Sequence, residues 1–369
     1  MDGECEWNKL NNFHATVNIG EDLMHDWYEE ICRYDVAIAL HNLIYEQKNI
    51  RLEDLNSRLR SFYYGPKDST NKPPEILDHQ VKNKHIIMTS AEMHNLVTRL
   101  PMLIGLIVPE DDEILQFLIQ LKRIIDIISS KVVQPETPEQ LKLHISEYLE
   151  MRRGLFENEK EKPKHHLGLH GPSNMKKFGS LIKSSALRFE AKNQEDKIIA
   201  RTARTRVNIC HTIAIRHQLL LNYRLRLKKP QPRIETARKK PVVVSKLKDV
   251  SGFYTLLPVR DPNVFVSTVK WVKTGEDRIE KNCILVLFND NGPVFNVVHE
   301  LIVIDETIFI VSKKLKNCYA VERVHGFKVV NENDYSWSSL TLSDIRRASV
   351  TYFTTLSDGG IYIYQNWIE

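Results

Sequence analysis

Hydrophobic positions along this chain repeat with two different periods, and the change falls near residue 230. In "GEDLMHDWYEEICRYDVAIALHNLIYEQ", Leu23, Ile31, Val36, Ile38, Leu40, Leu43 and Ile44 recur close to every 3.6 residues, the period of one helix face. "EDDEILQFLIQLKRIIDIISSKVV" opens on acidic residues, which suit the positive end of a helix dipole, and carries Ile114, Leu118, Leu121, Ile125 and Ile128 on one side. Thr89 and Glu92 stand in capping-box spacing. Thr137 as N-cap, Pro138 in the first turn and Gln140 at the third position predict a further helix start. Residues 1 to about 160 therefore read as helices with several buried faces, broken by a loop at "YGPKDSTNKPPE". A further helical stretch runs from about Ala186 to Leu227.

Beyond this the period shortens. "VFVSTVKWV", "CILVLF", "VFNVVHELIVI", "TIFIVSKKL" and "CYAVERV" are short, rich in Val and Ile, and separated by Gly, Asn and Asp turns. They predict a small antiparallel β-barrel, SH3-like or BAH-like, over residues 250–369. Trp271, Tyr352, Phe353 and Tyr362 read as packing residues of that barrel. Between the two regimes, "KKPQPRIETARKKP" holds three prolines and six Lys/Arg, and residues 228–249 read as a basic linker. The expected class is multidomain α+β.

Composition narrows the setting. The 369 residues suffice for two or three domains, and 42% apolar with 27% charged residues is ordinary for a soluble globular protein. The five cysteines are scattered and form no CxxC, which argues against a disulfide framework and for a reducing, intracellular compartment. "MDGECEWNKL" is unlike a signal peptide, and no apolar run approaches the roughly 18 residues of a membrane span. Net charge is only +5, yet 16 Lys/Arg fall between Lys192 and Lys248. Such a tract can be a solvated surface or a phosphate-contacting one.

"PKHHLGLHGPSNMKKFGSLIKSSALRFEAKN" concentrates the candidate chemistry: three histidines within six positions, then Glu190 flanked by Arg188 and Lys192. Taken locally, Glu190 reads as part of a salt-bridging helix face, and "EDLMHD", with Asp22, His25 and Asp26, as an acidic helix opening. A two-metal phosphoryl-transfer centre needs two or three Asp/Glu, because Mg²⁺ takes hard oxygen ligands.

In order along the chain, "GEDLMHDWYEEICRYD" and "PKHHLGLHGP…FGSLIKSSALRFEAKN" resemble the CACTA (En/Spm-like) transposases of insect and other animal mobile elements. The resemblance covers roughly residues 5 to 227 and implies a DDE transposase with an RNase H-like catalytic fold. It implies that Asp22 is the second catalytic aspartate and Glu190 the terminal glutamate, together holding Mg²⁺ or Mn²⁺. It implies that His166 and His170, with His165 as the alternative first member, belong to a Zn site. Residues 1–227 would then be a partial catalytic region, with about 27–160 as its helical insertion.

The departures point to a loss of activity. Only 21 residues precede Asp22, too few for the first strand and first aspartate of the family, and Glu30 replaces a glycine of its "LEG". "HYP" is His170–Gly171–Pro172, Gly179–Ser180 replaces "GP", Asn193 replaces the closing histidine, and no cysteine pair accompanies the histidines. The expected protein is a mobile-element derivative in the nucleus, catalytically incomplete and at most DNA-binding. Arg188, Lys192, Arg201, Arg204 and Arg216 are the expected contacts to the DNA backbone, without base reading, since no zinc finger or helix-turn-helix is visible. Self-association is a further expectation, and a membrane is not. The alternative is a non-catalytic protein-interaction module made of the helical bundle and the β-barrel.

Overall fold

The computed structural model describes residues 5–18, 20, 22–203, 207–226, 234–275, 277–345 and 348–365, apart from the side chains of Thr16 and Arg188. The chain divides into two compact units, Met1–Arg60 with Pro73–Thr202, and Ser61–Lys72 with Ala203–Trp367. The fold is α+β, and every described strand begins at Ile234 or later. No described helix is long and apolar enough to cross a membrane.

The described elements of the first unit are all helices, and no strand of the expected RNase H-like core is found among its described residues. Leu23–Ile31 is wound with i→i+5 hydrogen bonds, the Cys32 amide donating to the Trp27 carbonyl, and runs directly into α1 (Cys32–His41). Such wide turns are uncommon and often mark functional positions. Helices α2 (Ser90–Ile104), α3 (Glu113–Ile128) and α4 (Thr137–Leu155) complete the bundle. Helix α2 starts as its sequence demands: Thr89 and Glu92 form the reciprocal capping box. Asp112 caps α3 by accepting from the Leu115 amide at 3.0 Å. Thr137 lies one position further in than expected. It is the first helical residue of α4, behind Glu136, and its hydroxyl accepts the Gln134 amide at 3.0 Å. Trp27, Phe117 and Tyr148 are among the buried aromatics, and the last two stack at 5.1 Å. Short helices α5 (Pro163–Gly168) and α6 (Gly171–Phe178) then lead to α7 (Leu187–Thr202).

Beyond Ala203 the second unit begins with α8 (Ile209–Arg226) and continues in strands. Residues 228–249 read as a linker, yet β1 (Ile234–Thr236) and β2 (Lys240–Val243) fall within them. β1 pairs with β4 (Trp271–Thr274), itself in a hairpin with β5 (Asp277–Glu280), and β2 pairs with β3 (Phe265–Thr268). Pro241 is accommodated because β2 is an edge strand, where one amide can be missing at little cost. The backbone of the larger sheet is β6 (Ile284–Asn289), β7 (Gly292–Ile304) and β8 (Thr307–Leu315), flanked by β11 (Tyr335–Thr341) and β12 (Ser349–Thr351). A smaller sheet joins β9 (Cys318–Val321), β10 (Gly326–Val329), β13 (Phe353–Thr355) and β14 (Ile361–Tyr364). All pairings are antiparallel, and with a register shift in β7 between Val298 and Glu300 the strands curl into an open half-barrel. Its strands bury side chains on both faces, Leu285, Val298 and Ile310 in one cluster and Ile284 and Val286, with Phe295 and Phe327, in another.

Candidate functional site

A buried ionic set around Asp35 holds together the segments that carry the candidate residues. Asp35 on α1 has no exposed surface. It accepts hydrogen bonds from the Tyr148 hydroxyl, from Arg152 Nε at 3.1 Å and from His165 Nε2 at 3.0 Å. The guanidinium reaches on to the carbonyls of Glu159 and Lys160, at 3.2 and 3.5 Å, fixing the connection between α4 and α5. Burial, reinforced by the Asp35 charge, pushes both the Tyr148 hydroxyl and the Cys32 thiol well above their ordinary pKa, so both stay protonated. Helix α5 packs against Leu23–Ile31 through Gly168, where a Cβ would meet Trp27 Cζ2 at 2.9 Å. The Lys164 ammonium pairs with Asp26, whose other oxygen accepts the Asp22 amide at 3.0 Å. Asp26 is therefore occupied in closing the first turn.

Asp22 and Glu190 face the same imidazole. The Asp22 carboxylate binds His25 Nδ1, and Glu190 Oε1 lies 3.6 Å from His25 Nε2. Asp22 also accepts the Ala186 amide at 2.8 Å, a contact between residues 164 apart in sequence, just ahead of α7 and Glu190. Met24 and His25 donate their amides to it at 3.4 and 3.3 Å, making Asp22 the N-cap of the wide-turn helix. Burial works to raise the Asp22 pKa. The hydrogen bonds from Ala186, from the His25 ring and from the two cap amides outweigh it and hold the carboxyl below its ordinary value.

This donor set does not suit a two-metal centre as it stands. Both Asp22 oxygens are taken by N–H donors, Oδ1 by Met24 and Ala186 and Oδ2 by the amide and ring of His25. Glu190, exposed on α7, is the carboxylate with open coordination. The predicted zinc ligands fare no better. The Lys162 amide donates to His165 Nδ1 at 2.9 Å, which places the ring proton on Nε2, where it serves Asp35. His166 and His170 are exposed and meet edge to face at 5.3 Å, and among the described residues no acid or thiol completes a metal-binding group with them. Among the described residues, no three His, Cys, Asp or Glu side chains are arranged to hold an ion.

The expected backbone contacts separate into three kinds. Lys192 is ion-paired with Glu195 at 2.5 Å. Arg201 and Arg216 are exposed and without an ion-pair partner among the described residues. Arg204 and the side chain of Arg188 lie outside the described residues. The residue of the candidate site to which sequence reasoning gave no role is His25. It stood beside Asp22 in "EDLMHD", but only the approach of Glu190 shows that it joins two distant carboxylates. The Asp35 set also went unread, because an aspartate inside "CRYDVAIAL" carries no local sign of burial.

No family model, no curated protein and no solved structure matches this chain.

Proposed function

We propose that this chain derives from a DDE transposase of the CACTA (En/Spm-like) kind, its present role DNA contact in the nucleus rather than cleavage. The observation that carries the reading is the convergence of Asp22 and Glu190 on His25 from far-separated parts of the sequence. An intact ancestor would transfer phosphoryl groups with Mg²⁺ or Mn²⁺ on its acidic residues. In this chain the engaged oxygens of Asp22 leave Glu190 alone to offer a ligand, which is why cutting is not expected. Arg201 and Arg216, without an ion-pair partner among the described residues, supply contacts to phosphate that neither need nor read a base sequence.

Fluorescence anisotropy with a 30-base-pair duplex, from about 50 to 200 mM salt, tests the reading. The expected result is binding that weakens steeply with salt, with a log–log slope reduced by about 2 in the double variant R201E/R216E. Absence of binding at 50 mM salt would end the DNA-contact reading. Nicking of plasmid DNA with Mn²⁺, lost in Glu190→Gln, would mean that the ancestral chemistry survives.

A second reading, a protein-interaction module with an SH3- or BAH-like barrel, is favoured by α8. That helix buries no residue and leaves Leu219 and Leu225 63% and 68% exposed. If it mediates self-association, sedimentation velocity will find a concentration-dependent dimer that L219E/L225E abolishes.

A further inference from the structure

The second unit carries a charged recess that the transposase reading does not use. In the β4–β5 hairpin, Val272 and Ile279 are buried and opposite each other, so Trp271, Lys273, Arg278 and Glu280 project from the other face. Trp271 is only half-buried, unlike the packing residue expected of it, and the Arg278 guanidinium lies 5.0 Å from its ring centre. β1 pairs with the opposite edge of β4, and the Ala237 amide donates to the Trp271 carbonyl at 3.0 Å, bringing Arg238 beside the indole.

Arg238, Trp271, Arg278 and Glu280, though not Lys273, line a cleft of about 430 Å³ together with the buried Val269 and Leu301. Its charge is unbalanced. Arg278 is paired with Glu280 at 3.0 Å and Lys281 with Glu300 at 3.4 Å. Arg238, Lys240 and Lys270 line the same cleft, are exposed, and have no partner among the described residues. Three uncompensated cations around a flat aromatic surface ask for a ligand that is both anionic and planar.

We propose that this cleft holds a short segment of single-stranded nucleic acid, with phosphates on Arg238, Lys240 and Lys270 and an unpaired base against Trp271 and Arg278. A recessed indole is accessible to an unstacked base and not to the stacked pairs of a duplex. An acidic peptide would satisfy the cations but leave the Trp271–Arg278 surface unused. The inference draws on the second unit alone and does not rest on the transposase ancestry.

The test is fluorescence anisotropy of a labelled twelve-nucleotide oligo(dT) with the full chain, in excess unlabelled duplex to occupy any duplex-binding surface. Trp271→Ala is expected to weaken binding about tenfold, and Trp271→Phe, which keeps a stacking plane, to stay near the parent. The triple variant R238E/K240E/K270E is expected to lower the log–log salt slope by about 2. Its positions are exposed, so it keeps the test alive if Trp271→Ala melts early in a circular-dichroism scan. Unchanged binding in both Trp271→Ala and the triple variant overturns the proposal, and where Trp271→Ala does not fold an unchanged triple variant does so alone. So does displacement of the oligonucleotide by poly-glutamate as readily as by unlabelled oligo(dT), which would assign the cleft to acidic peptides.

Discussion

The helical unit and the β unit treat charge in opposite ways. The helical unit buries Asp26, Asp35, Arg99, Lys122 and Arg152, whereas no Asp, Glu, Lys or Arg is buried among the described residues of the β unit. The β unit keeps its ion pairs at the surface, as with Lys328 and Asp358 at 2.8 Å. The contrast has a physical origin. Backbone ladders join distant strands to one another, so a sheet acquires its long-range register from the main chain. Helices satisfy their backbones internally, and their mutual register must come from side chains. Asp35 provides it here by joining α1, α4 and α5 through directional bonds that an apolar contact would not supply.

The sharpest way to break this comparison is to remove the central acid. Asp35→Ala leaves Arg152 buried without a counter-charge and is expected to cost about 3–5 kcal/mol in urea unfolding of the helical unit. A loss below about 1 kcal/mol would mean that the ionic set is incidental to the packing. Next comes the contact between α5 and the wide-turn helix. Gly168→Ala drives a Cβ into Trp27 and should cost about 1–3 kcal/mol. Gly154→Ala is its control: it lies within α4 with nothing within 4 Å of the new Cβ, and should stabilise by about 0.5–1 kcal/mol.

The smallest effect belongs to the surface pair of the β unit. The Lys328 ammonium, aided by the Gly360 amide and the Tyr362 hydroxyl, holds Asp358 down to about 2. Because the folded value lies below the unfolded one, near 3.9, this stabilisation is complete above about pH 5 and fades as pH falls toward 2. Asp358→Asn should remove that pH dependence in acid titrations followed by circular dichroism. At neutral pH it should cost no more than about 1 kcal/mol, since the pair is partly exposed and screened. A larger loss would place the β unit alongside the helical one and dissolve the contrast.

Much of the architecture was legible because it is written in local chemistry. The capping box at Thr89 and the acidic start of α3 operate within a few residues, and the two hydrophobic periods separated helices from strands. β1 and β2 escaped because the prolines and basic residues in and around them mark a loop in isolation, and only pairing with β4 and β3 makes them strands. Trp271 was read as packing because aromatic residues in strands usually are. Its half-exposure follows from Val272 and Ile279 taking the inward positions of the hairpin. Within the candidate site, family likeness singled out Asp22 and Glu190, while nothing local showed that His25 would stand between them.

What the sequence determined by itself was the class of most segments, the capped starts of helices such as α2 and the uneven placement of its basic residues. Those depend on neighbours three or four positions away. The tertiary structure alone decided which polar groups would be spent on one another: His165 on Asp35 and the oxygens of Asp22 on Ala186 and His25, with Arg201 left without an ion-pair partner among the described residues. A side chain's chemistry depends on which donors and acceptors come within about 3 Å of it. For residues more than a hundred positions apart, that is settled only when the chain has folded.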